Sequence, residues 1–375
     1  MKVMTVVGTR PEIIRLSRVI DRLDRTVDHT LVHTGQNYDH ALNQVFFDDL
    51  TLRPPDHYLG VDTSSLGHVL GETLIGVEKV LGSEHPDAFL VLGDTNSCIA
   101  AVMAKRKGVP VFHMEAGNRC FDENVPEETN RRLIDHVSDF NLAYTEHARR
   151  NLLAEGLHPR RVMVTGSPMR EVLDHYRARI EASDVVERLG LTDHRYFLAS
   201  VHREENVDAP ARLSLVHECL NAVHDRYGYP VVVSTHPRTA NRLAALGAGP
   251  DDGRDIRWLT PFGFHDYNRL QLGAACVLSD SGTISEESAI LGFPAVTLRD
   301  SIERPEALDA GTIVMTGLNP SDVVAAVAHM MRQTRDELRA RQLPEGYDVP
   351  DTSARVVAFI CSTAGRHRQW AGLRP

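Results

Sequence analysis

The chain opens with an apolar run and a polar turn, Val3-Met4-Thr5-Val6-Val7 and Gly8-Thr9-Arg10-Pro11-Glu12, followed by a helical stretch through Arg15–Leu23. A second apolar run comes at Thr30–His33. Such an alternation is typical of βαβ units, in which parallel strands are joined by helices. The same rhythm returns further on, at Ala88–Leu92, Ala100–Lys107 and Val111–Met114. The N-terminal part therefore predicts a doubly wound α/β domain.

A second series of apolar runs predicts a second domain of the same class. Its members are Tyr196–Val201, Pro230–Ser234, Arg257–Leu259, Cys276–Ser279 and Ala295–Leu298. Between the two series, Arg170–Leu189 is charged and helical in period, which is typical of a boundary region. A length of 375 residues also favours two domains. We predict domains over residues 1–170 and 171–353, with residues 354–375 forming a closing helix and tail that pack back across them.

Composition excludes several classes of function. A net charge of −10 argues against a surface for nucleic acid or anionic lipid. The apolar runs are far shorter than the roughly 18 to 20 residues of a membrane helix. The N-terminus resembles a first strand that runs into a turn and shows no small-residue cleavage site, so we expect a cytoplasmic protein. Five cysteines without a C-x-x-C pair indicate reduced thiols. Nineteen histidines without an H-E-x-x-H motif predict no metal site.

Two turns after strands are candidate anion sites. The turn Gly8–Glu12 opens a helix, so its backbone N–H groups and Arg10 could receive a phosphate. The segment Asp280–Glu287 follows another strand, and its Ser281 and Gly282 could do the same, with Glu287 accepting from ribose hydroxyls. Helix starts without a ligand are the alternative for both turns. No G-x-G-x-x-G or P-loop motif accompanies them.

The acid/base candidates of the first half are Asp94, Glu115, Glu127 and Glu128, with Arg131. Asp94 and Glu115 each close an apolar run, so both carboxylates should emerge at the same sheet edge. Glu127 and Arg131 are spaced i, i+4 on one helix face, although a surface ion pair would show the same spacing. Charges over 299–306 suit an arginine clamp or exposed ion pairs. Two histidines follow predicted strands and are further site candidates, His202 and His236. Either could instead be an ordinary hydrogen-bonded histidine without a role in the site.

Together and in this order, these motifs resemble those of the non-hydrolysing UDP-N-acetylglucosamine 2-epimerase family over nearly the whole chain. The resemblance implies a glycosyltransferase-B-like fold of two Rossmann-like domains with an interdomain cleft. It also implies a homodimer and a UDP-sugar substrate, with no cofactor. The family eliminates UDP across C1–C2 to a 2-acetamidoglucal and adds it back with the opposite configuration at C2. The motifs are Gly8–Glu12, Gly93–Thr95, Met114–Gly117, Pro126–Arg131, His202-Arg203, Asp280–Gly282, Glu286-Glu287 and Glu303–Glu306.

Residue roles carry over by position within these motifs. The resemblance implies that the acid/base carboxylates are Asp94, Glu115 and Glu127, assisted by Arg131 and His202. The implied UDP-binding residues are Arg10, Arg15, His236, Ser281, Gly282, Glu287 and Arg304. The family often has Lys where this chain has Arg15. Its effector loop usually reads Gln-His-Arg, whereas residues 35–39 of this chain read Gly-Gln-Asn-Tyr-Asp, so the resemblance leaves activation by a second substrate molecule open.

Three segments point to a subgroup. The stretches 35–39, 114–122 and 263–268 look most similar to enzymes that epimerise UDP-2-acetamido-2,6-dideoxy-L-talose to UDP-N-acetyl-L-fucosamine. The chemistry would be the same on a different sugar. Other functions stay open at this point: a glycosyltransferase of the same fold, a hydrolysing relative that releases free sugar, and a nucleotide-sugar binding module.

Overall fold

The chain divides into two units, one formed by Met1–His175 with Glu345–Pro375 and the other by Tyr176–Pro344. The sequence had placed the boundaries at 170 and 353. The structure, a computed structural model, describes residues 1–36, 47–235, 237–245 and 253–373, without the side chains of 237, 238, 244 and 245. Each unit has its own sheet and apolar core.

Unit 1 is a parallel sheet covered by helices. Its strands are β1 (Lys2–Val7), β2 (Asp28–His33), β3 (His57–Tyr58), β4 (Ala88–Leu92), β5 (Val111–Met114), β6 (Phe140–Ala143) and β7 (Val162–Val164). Among the described residues the strand order is β3-β2-β1-β4-β5-β6-β7. Its helices up to the unit boundary are α1 (Arg10–Thr26), α2 (Leu66–Glu84), α3 (Ala100–Arg106), α4 (Pro126–Val137), α5 (Glu146–Ala154) and α6 (Met169–Glu181), the last of which continues into unit 2.

Unit 2 repeats this design. Its strands are β8 (Phe197–Ser200), β9 (Val231–Ser234), β10 (Ile256–Leu259), β11 (Cys276–Ser279), β12 (Ala295–Thr297) and β13 (Val314–Met315). They run parallel in the order β10-β9-β8-β11-β12-β13. The helices are α7 (Val185–Arg188), α8 (Glu204–Val207), α9 (Pro210–Tyr227), α10 (Pro237–Ala245), α11 (Phe264–Gly273), α12 (Ile284–Leu291), α13 (Pro305–Asp309), α14 (Pro320–Met331) and α15 (Arg335–Ala340).

Each sheet reverses its strand order once, between β1 and β4 in unit 1 and between β8 and β11 in unit 2. In open α/β sheets, ligands bind beyond the carboxyl ends of the strands that flank such a reversal. The turns at these four strand ends are Gly8–Glu12, Gly93–Thr95, His202-Arg203 and Asp280–Gly282. The α/β class with two Rossmann-like domains, expected from the sequence, is confirmed, and these four of the quoted motifs lie where this topology places ligands.

Two details of the secondary structure differ from the sequence expectation. The helical stretch Arg170–Leu189 is two helices, α6 and α7, because the Ser183 hydroxyl accepts from the Val185 N–H (3.3 Å) and donates to Asp266 (2.5 Å). The strands β3, β6, β7 and β13 were not predicted. The strands β3, β7 and β13 have two or three residues, too few to show a period, and the four residues of β6 include the polar Asn141.

The C-terminal helices α16 (Thr352–Thr363) and α17 (His367–Trp370) belong to unit 1. The Arg22 side chain of α1 donates to the Ser353 hydroxyl (2.8 Å), and the Phe359 ring packs edge-on against Phe112 and Phe140. This tail therefore covers the strands β5 and β6. Within the described part of the chain, none of the helices has the length and hydropathy needed to cross a membrane.

Candidate functional site

Glu12 joins the two loops at the strand reversal of unit 1. One carboxylate oxygen accepts from the N–H groups of Gly8 (2.5 Å) and Thr9 (2.8 Å), and the other accepts from the hydroxyls of Thr95 (2.6 Å) and Ser97 (2.5 Å). Burial raises the pKa of Glu12, although all four donors oppose that shift. The turn after β1 is thus fixed to the turn after β4, which carries Asp94.

Asp280 has the equivalent position in unit 2. This fully buried carboxylate accepts from the backbone N–H groups of His202 (3.1 Å) and Arg203 (3.1 Å) and from the Asn206 side chain (3.1 Å). His202 also places its Nδ1 3.3 Å from Asp280, and its imidazole is 42% exposed. The turn after β8 is thus fixed to the turn after β11, with an accessible histidine beside it. His236 lies outside the described residues.

Glu115 is the most constrained of the candidate carboxylates. It follows β5 in the left-handed region, with φ of 65°, which costs a non-glycine residue about 1 to 2 kcal/mol. Its carboxylate forms an ion pair with Arg15 of α1, and both side chains are buried. Arg15, expected to bind UDP, therefore contacts a predicted catalytic carboxylate. Such strain in a buried ionic residue is typical of functional positions.

Arg131 holds Asp94, another of the candidate carboxylates. Its Nε donates to Asp94 (2.7 Å) and its Nη1 to Glu128 (2.9 Å). Glu128 is buried, which opposes its ionisation, but the donors Cys120 and Arg131 outweigh burial and lower its pKa. The sequence offers both Glu127 and Glu128 as acid/base candidates. Glu127 lies half-buried at the start of α4, whereas Glu128 is buried and accepts from Arg131, in keeping with their i, i+3 spacing.

The small-residue turn of unit 2 is shaped by an arginine. Arg304 donates to the backbone carbonyl of Gly282 (2.6 Å), and a Cβ at Gly282 would lie 2.6 Å from the Arg304 Nη1. The Ser281 hydroxyl lies 3.0 Å from that of Thr283, just before α12 begins. A side chain at Gly282 would therefore have to displace the Arg304 guanidinium and the Glu303 carboxylate, both of which are buried.

The charged segment that follows is buried rather than exposed. Glu303 accepts from Arg299 (2.5 Å) and Arg203 (3.2 Å) and lies 3.4 Å from Arg304. The side chains of Arg299, Glu303 and Arg304 are only 2 to 4% exposed, which excludes the alternative of surface ion pairs. Within the described residues, the Nε and Nη2 of Arg299 have no hydrogen-bond partner. Buried donors of this kind suit an anion.

Glu287 faces α11. Its carboxylate accepts from the Gln271 amide (2.6 Å), and Tyr267 lies close enough for Glu287 to affect its ionisation. Burial, followed by the charge of Glu287, raises the pKa of Tyr267, so the phenol stays neutral and keeps its O–H. Arg10 is the first residue of α1, half-buried at the unit 1 reversal. Among the residues described, no group of three or more His, Cys, Asp or Glu side chains could hold a metal ion.

Two doubly wound parallel sheets, each with a buried carboxylate bridging the loops at its strand reversal, define the class of two-domain Rossmann-like α/β proteins. Residues 21–361 match the UDP-N-acetylglucosamine 2-epimerase family. The chain belongs to this family of isomerases.

Individual relatives agree with this assignment. The solved structure of UDP-N-acetylglucosamine 2-epimerase from Rickettsia bellii is 43% identical, with a TM-score of 0.92 over 100% of both chains. The Methanocaldococcus jannaschii UDP-N-acetylglucosamine 2-epimerase is 36% identical over 90% of this chain and 94% of its own length. A structure of the M. jannaschii enzyme in complex with UDP-GlcNAc and UDP has a TM-score of 0.90, covering 96% of this chain and 100% of that one. A UDP-2,3-diacetamido-2,3-dideoxy-D-glucuronate 2-epimerase from Pseudomonas aeruginosa is 34% identical over 89% of this chain and 93% of its own length.

Proposed function

We propose that this protein inverts C2 of UDP-GlcNAc to give UDP-ManNAc. A base removes the C2 proton, the C1–O bond to UDP breaks, and the products are a 2-acetamidoglucal and UDP. UDP then adds back to C1 while a proton is delivered to the opposite face of C2. The observation that carries the proposal is the group of carboxylates at the carboxyl end of unit 1's sheet, where buried arginines hold Asp94 and Glu115.

The carboxylates of unit 1 are proposed to transfer the proton. Epimerisation needs a group that removes a proton on one face and a group that returns one on the other. Asp94, Glu115 and Glu127 are the candidates, and Arg131 keeps Asp94 in place through the 2.7 Å bond. Arg15 belongs with this group because it contacts Glu115. A glycosyltransferase would need at most one such base.

The residues of unit 2 are proposed to bind UDP. Expelling a diphosphate requires cations and N–H donors that stabilise the developing charge. The Ser281-Gly282 turn, Arg304 and the open nitrogens of Arg299 supply them, with His202 beside them. The Glu287 carboxylate is proposed to accept hydrogen bonds from the ribose hydroxyls of UDP. Arg10 and His236 stay in the proposal as UDP-binding residues on the strength of the resemblance.

Proton NMR of UDP-GlcNAc incubated with the enzyme in heavy water tests this mechanism. We expect UDP-ManNAc with deuterium at C2 and no free sugar. An epimer that retains its C2 proton would refute elimination, and free ManNAc would indicate a hydrolase. Asp94→Asn should abolish the incorporation of deuterium at C2. Asp87→Asn should not, because Asp87 directly precedes β4, at the amino end of the strand that Asp94 follows.

Several narrower expectations stay predictions. Repeating the time course with UDP-2-acetamido-2,6-dideoxy-L-talose tests the subgroup preference. Sedimentation tests the expected homodimer. The cytoplasmic location rests on the sequence alone.

A further inference from the structure

A buried histidine and aspartate lie behind the candidate catalytic carboxylates of unit 1. His113 of β5 and Asp135 of α4 are 1% and 0% exposed. The His113 Nδ1 lies 2.9 Å from Asp135 Oδ1, and its Nε2 lies 2.8 Å from the backbone carbonyl oxygen of Gly93. Gly93 directly precedes Asp94. The pair therefore contacts the backbone of the loop that carries the first candidate carboxylate.

Both ring nitrogens of His113 face acceptors. A carboxylate and a carbonyl oxygen can only accept, and a neutral imidazole has a single N–H to donate. Both bonds exist together only if His113 is an imidazolium. Burial lowers its pKa, but Asp135, the Gly93 carbonyl and the nearby charge of Glu115 outweigh burial and raise it.

Asp135 also holds the loop that carries Glu115. Its carboxylate accepts from the Gly117 N–H (3.1 Å) and from Arg119 Nη1 (2.7 Å). Arg119 is itself fixed by Glu155 of α5, with bonds of 2.8 and 2.6 Å. Gly117 has φ of 86° and lies so close to the Ala148 carbonyl that no side chain fits. The backbone on the C-terminal side of Glu115 is thus fixed in one conformation, which maintains its left-handed φ.

We propose that His113 and Asp135 are positioning residues for the epimerase reaction: one buried ion pair fixes the backbone that carries Asp94 and the backbone that carries Glu115. The proposal rests on the function proposed above. Neither residue meets the substrate. Their role is to keep two carboxylates on different loops at a constant separation, which is what removal and return of a proton at one carbon requires.

The charged and titratable groups around His113 set its dependence on pH. Asp135 faces it from α4, and Glu115 follows it on the loop after β5. Arg119 shares the Asp135 carboxylate. Cys98 donates its thiol to the Gly93 carbonyl (3.3 Å), and burial raises its pKa, so it stays neutral. Removing the charge of Asp135 leaves burial dominant, so the imidazolium should lose a proton at a lower pH.

The first test compares Asp135→Asn and His113→Gln with the wild-type enzyme. We expect kcat to fall by about 10- to 100-fold, because displacements of about 1 Å in a supporting group have such effects. The Kd for UDP should change less than twofold. In Asp135→Asn the loss of kcat with rising pH should begin at a lower pH than in the wild type. Unchanged kcat and an unchanged pH profile in both variants would overturn the proposal.

Asp139→Asn is the matched control. Asp139 is as buried as Asp135, but it accepts from the Val111 N–H (3.0 Å) at the amino end of β5, away from both loops. It should lower the melting temperature and leave kcat and its pH profile unchanged. If Asp139→Asn reduced kcat as much as Asp135→Asn does, the effect would be general destabilisation and the positioning role would be refuted.

A second test needs no turnover. In ¹⁵N-histidine NMR of the wild-type protein, the His113 signals are those lost in His113→Gln and shifted in Asp135→Asn. We expect both ring nitrogens to carry protons at neutral pH, and a neutral ring would overturn the proposal. A wild-type protein that fails to epimerise UDP-GlcNAc would refute the proposed function instead, and the histidine spectrum separates the two failures.

Discussion

Replacing Arg15 by methionine separates two roles for this residue. The resemblance to the family implies that Arg15 binds UDP. The structure instead pairs Arg15 with Glu115, and their side chains are 5% and 9% exposed. Breaking a buried ion pair costs about 3 to 5 kcal/mol because one charge is left uncompensated. The Asn118 amide stays within 3.4 Å of Glu115, which favours the lower end of that range. We therefore expect the free energy of unfolding to fall by about 3 kcal/mol.

The effect on catalysis should follow from a mispositioned Glu115. If about 2.7 kcal/mol of this penalty appears in the transition state, kcat/KM falls by about 100-fold. The Kd for UDP, measured by isothermal titration calorimetry, should stay within twofold. Denaturant unfolding measures the change in the free energy of unfolding, and the NMR assay measures the change in kcat/KM.

Arg18→Met is the matched control on the same helix. Arg18 forms a partly exposed pair with Asp21 (2.7 Å), so its loss should cost about 0.2 to 1 kcal/mol and leave kcat/KM unchanged. A tenfold or greater loss of UDP affinity in Arg15→Met, with kcat preserved, would refute the assignment of Arg15 to the carboxylates and restore the UDP role.

Three further predictions concern the loops. Glu12→Gln should cost about 1 kcal/mol, because the two hydroxyls can turn to accept from the amide. Glu12→Ala leaves the buried Gly8 N–H without its acceptor, at about 1 to 3 kcal/mol, and removes the acceptor of the half-buried Thr9 N–H as well. Urea unfolding distinguishes the two variants, and equal costs would contradict the bonding pattern. Gly282→Ala should displace Arg304 and so weaken UDP binding about tenfold in titration calorimetry. The control Gly71→Ala, in α2, places a Cβ that meets nothing within 4 Å, so it should stabilise the fold by about 0.5 to 1 kcal/mol. Unaltered affinity in Gly282→Ala would exclude the turn from the UDP site. Because the pKa of Glu128 is lowered, its contribution to stability is present above pH 4.5 and is lost as pH falls through its folded pKa, so melting temperatures between pH 6 and 3 should fall less steeply in Glu128→Gln than in the wild type.

Much of the fold follows from local pattern. A buried parallel strand is a continuous apolar run, as in β4 and β11, and each was predicted at its observed bounds. The strands that escaped prediction are two to four residues long. One of them, β6, contains the buried Asn141, whose amide donates to the Asp135 carbonyl (2.9 Å). This polar residue interrupts the apolar pattern, and only the folded chain supplies the partner for its N–H donor.

The partners of the charged residues depend on tertiary structure. Spacing suggested that Glu127 and Arg131 share a helix face, and the structure adds Glu128 and Asp94 as acceptors for Arg131. Nothing local to Arg15 predicts that it meets Glu115, a hundred residues away. The motif Gly8–Glu12 by itself indicates no partner for Glu12. Its burial and its four hydrogen bonds appear only when β1 and β4 lie side by side.

The sequence by itself determined that the chain forms two doubly wound α/β domains, and its ordered motifs identified the family. Short-range periodicity and turn chemistry carry that information because they act within a few residues. Only the tertiary structure decided which carboxylate each arginine holds, and that His113 and Asp135 contact the backbone of both loops that carry Asp94 and Glu115. Those pairings follow from parallel strands bringing distant loops to one edge, where burial leaves each charge dependent on the partner it meets.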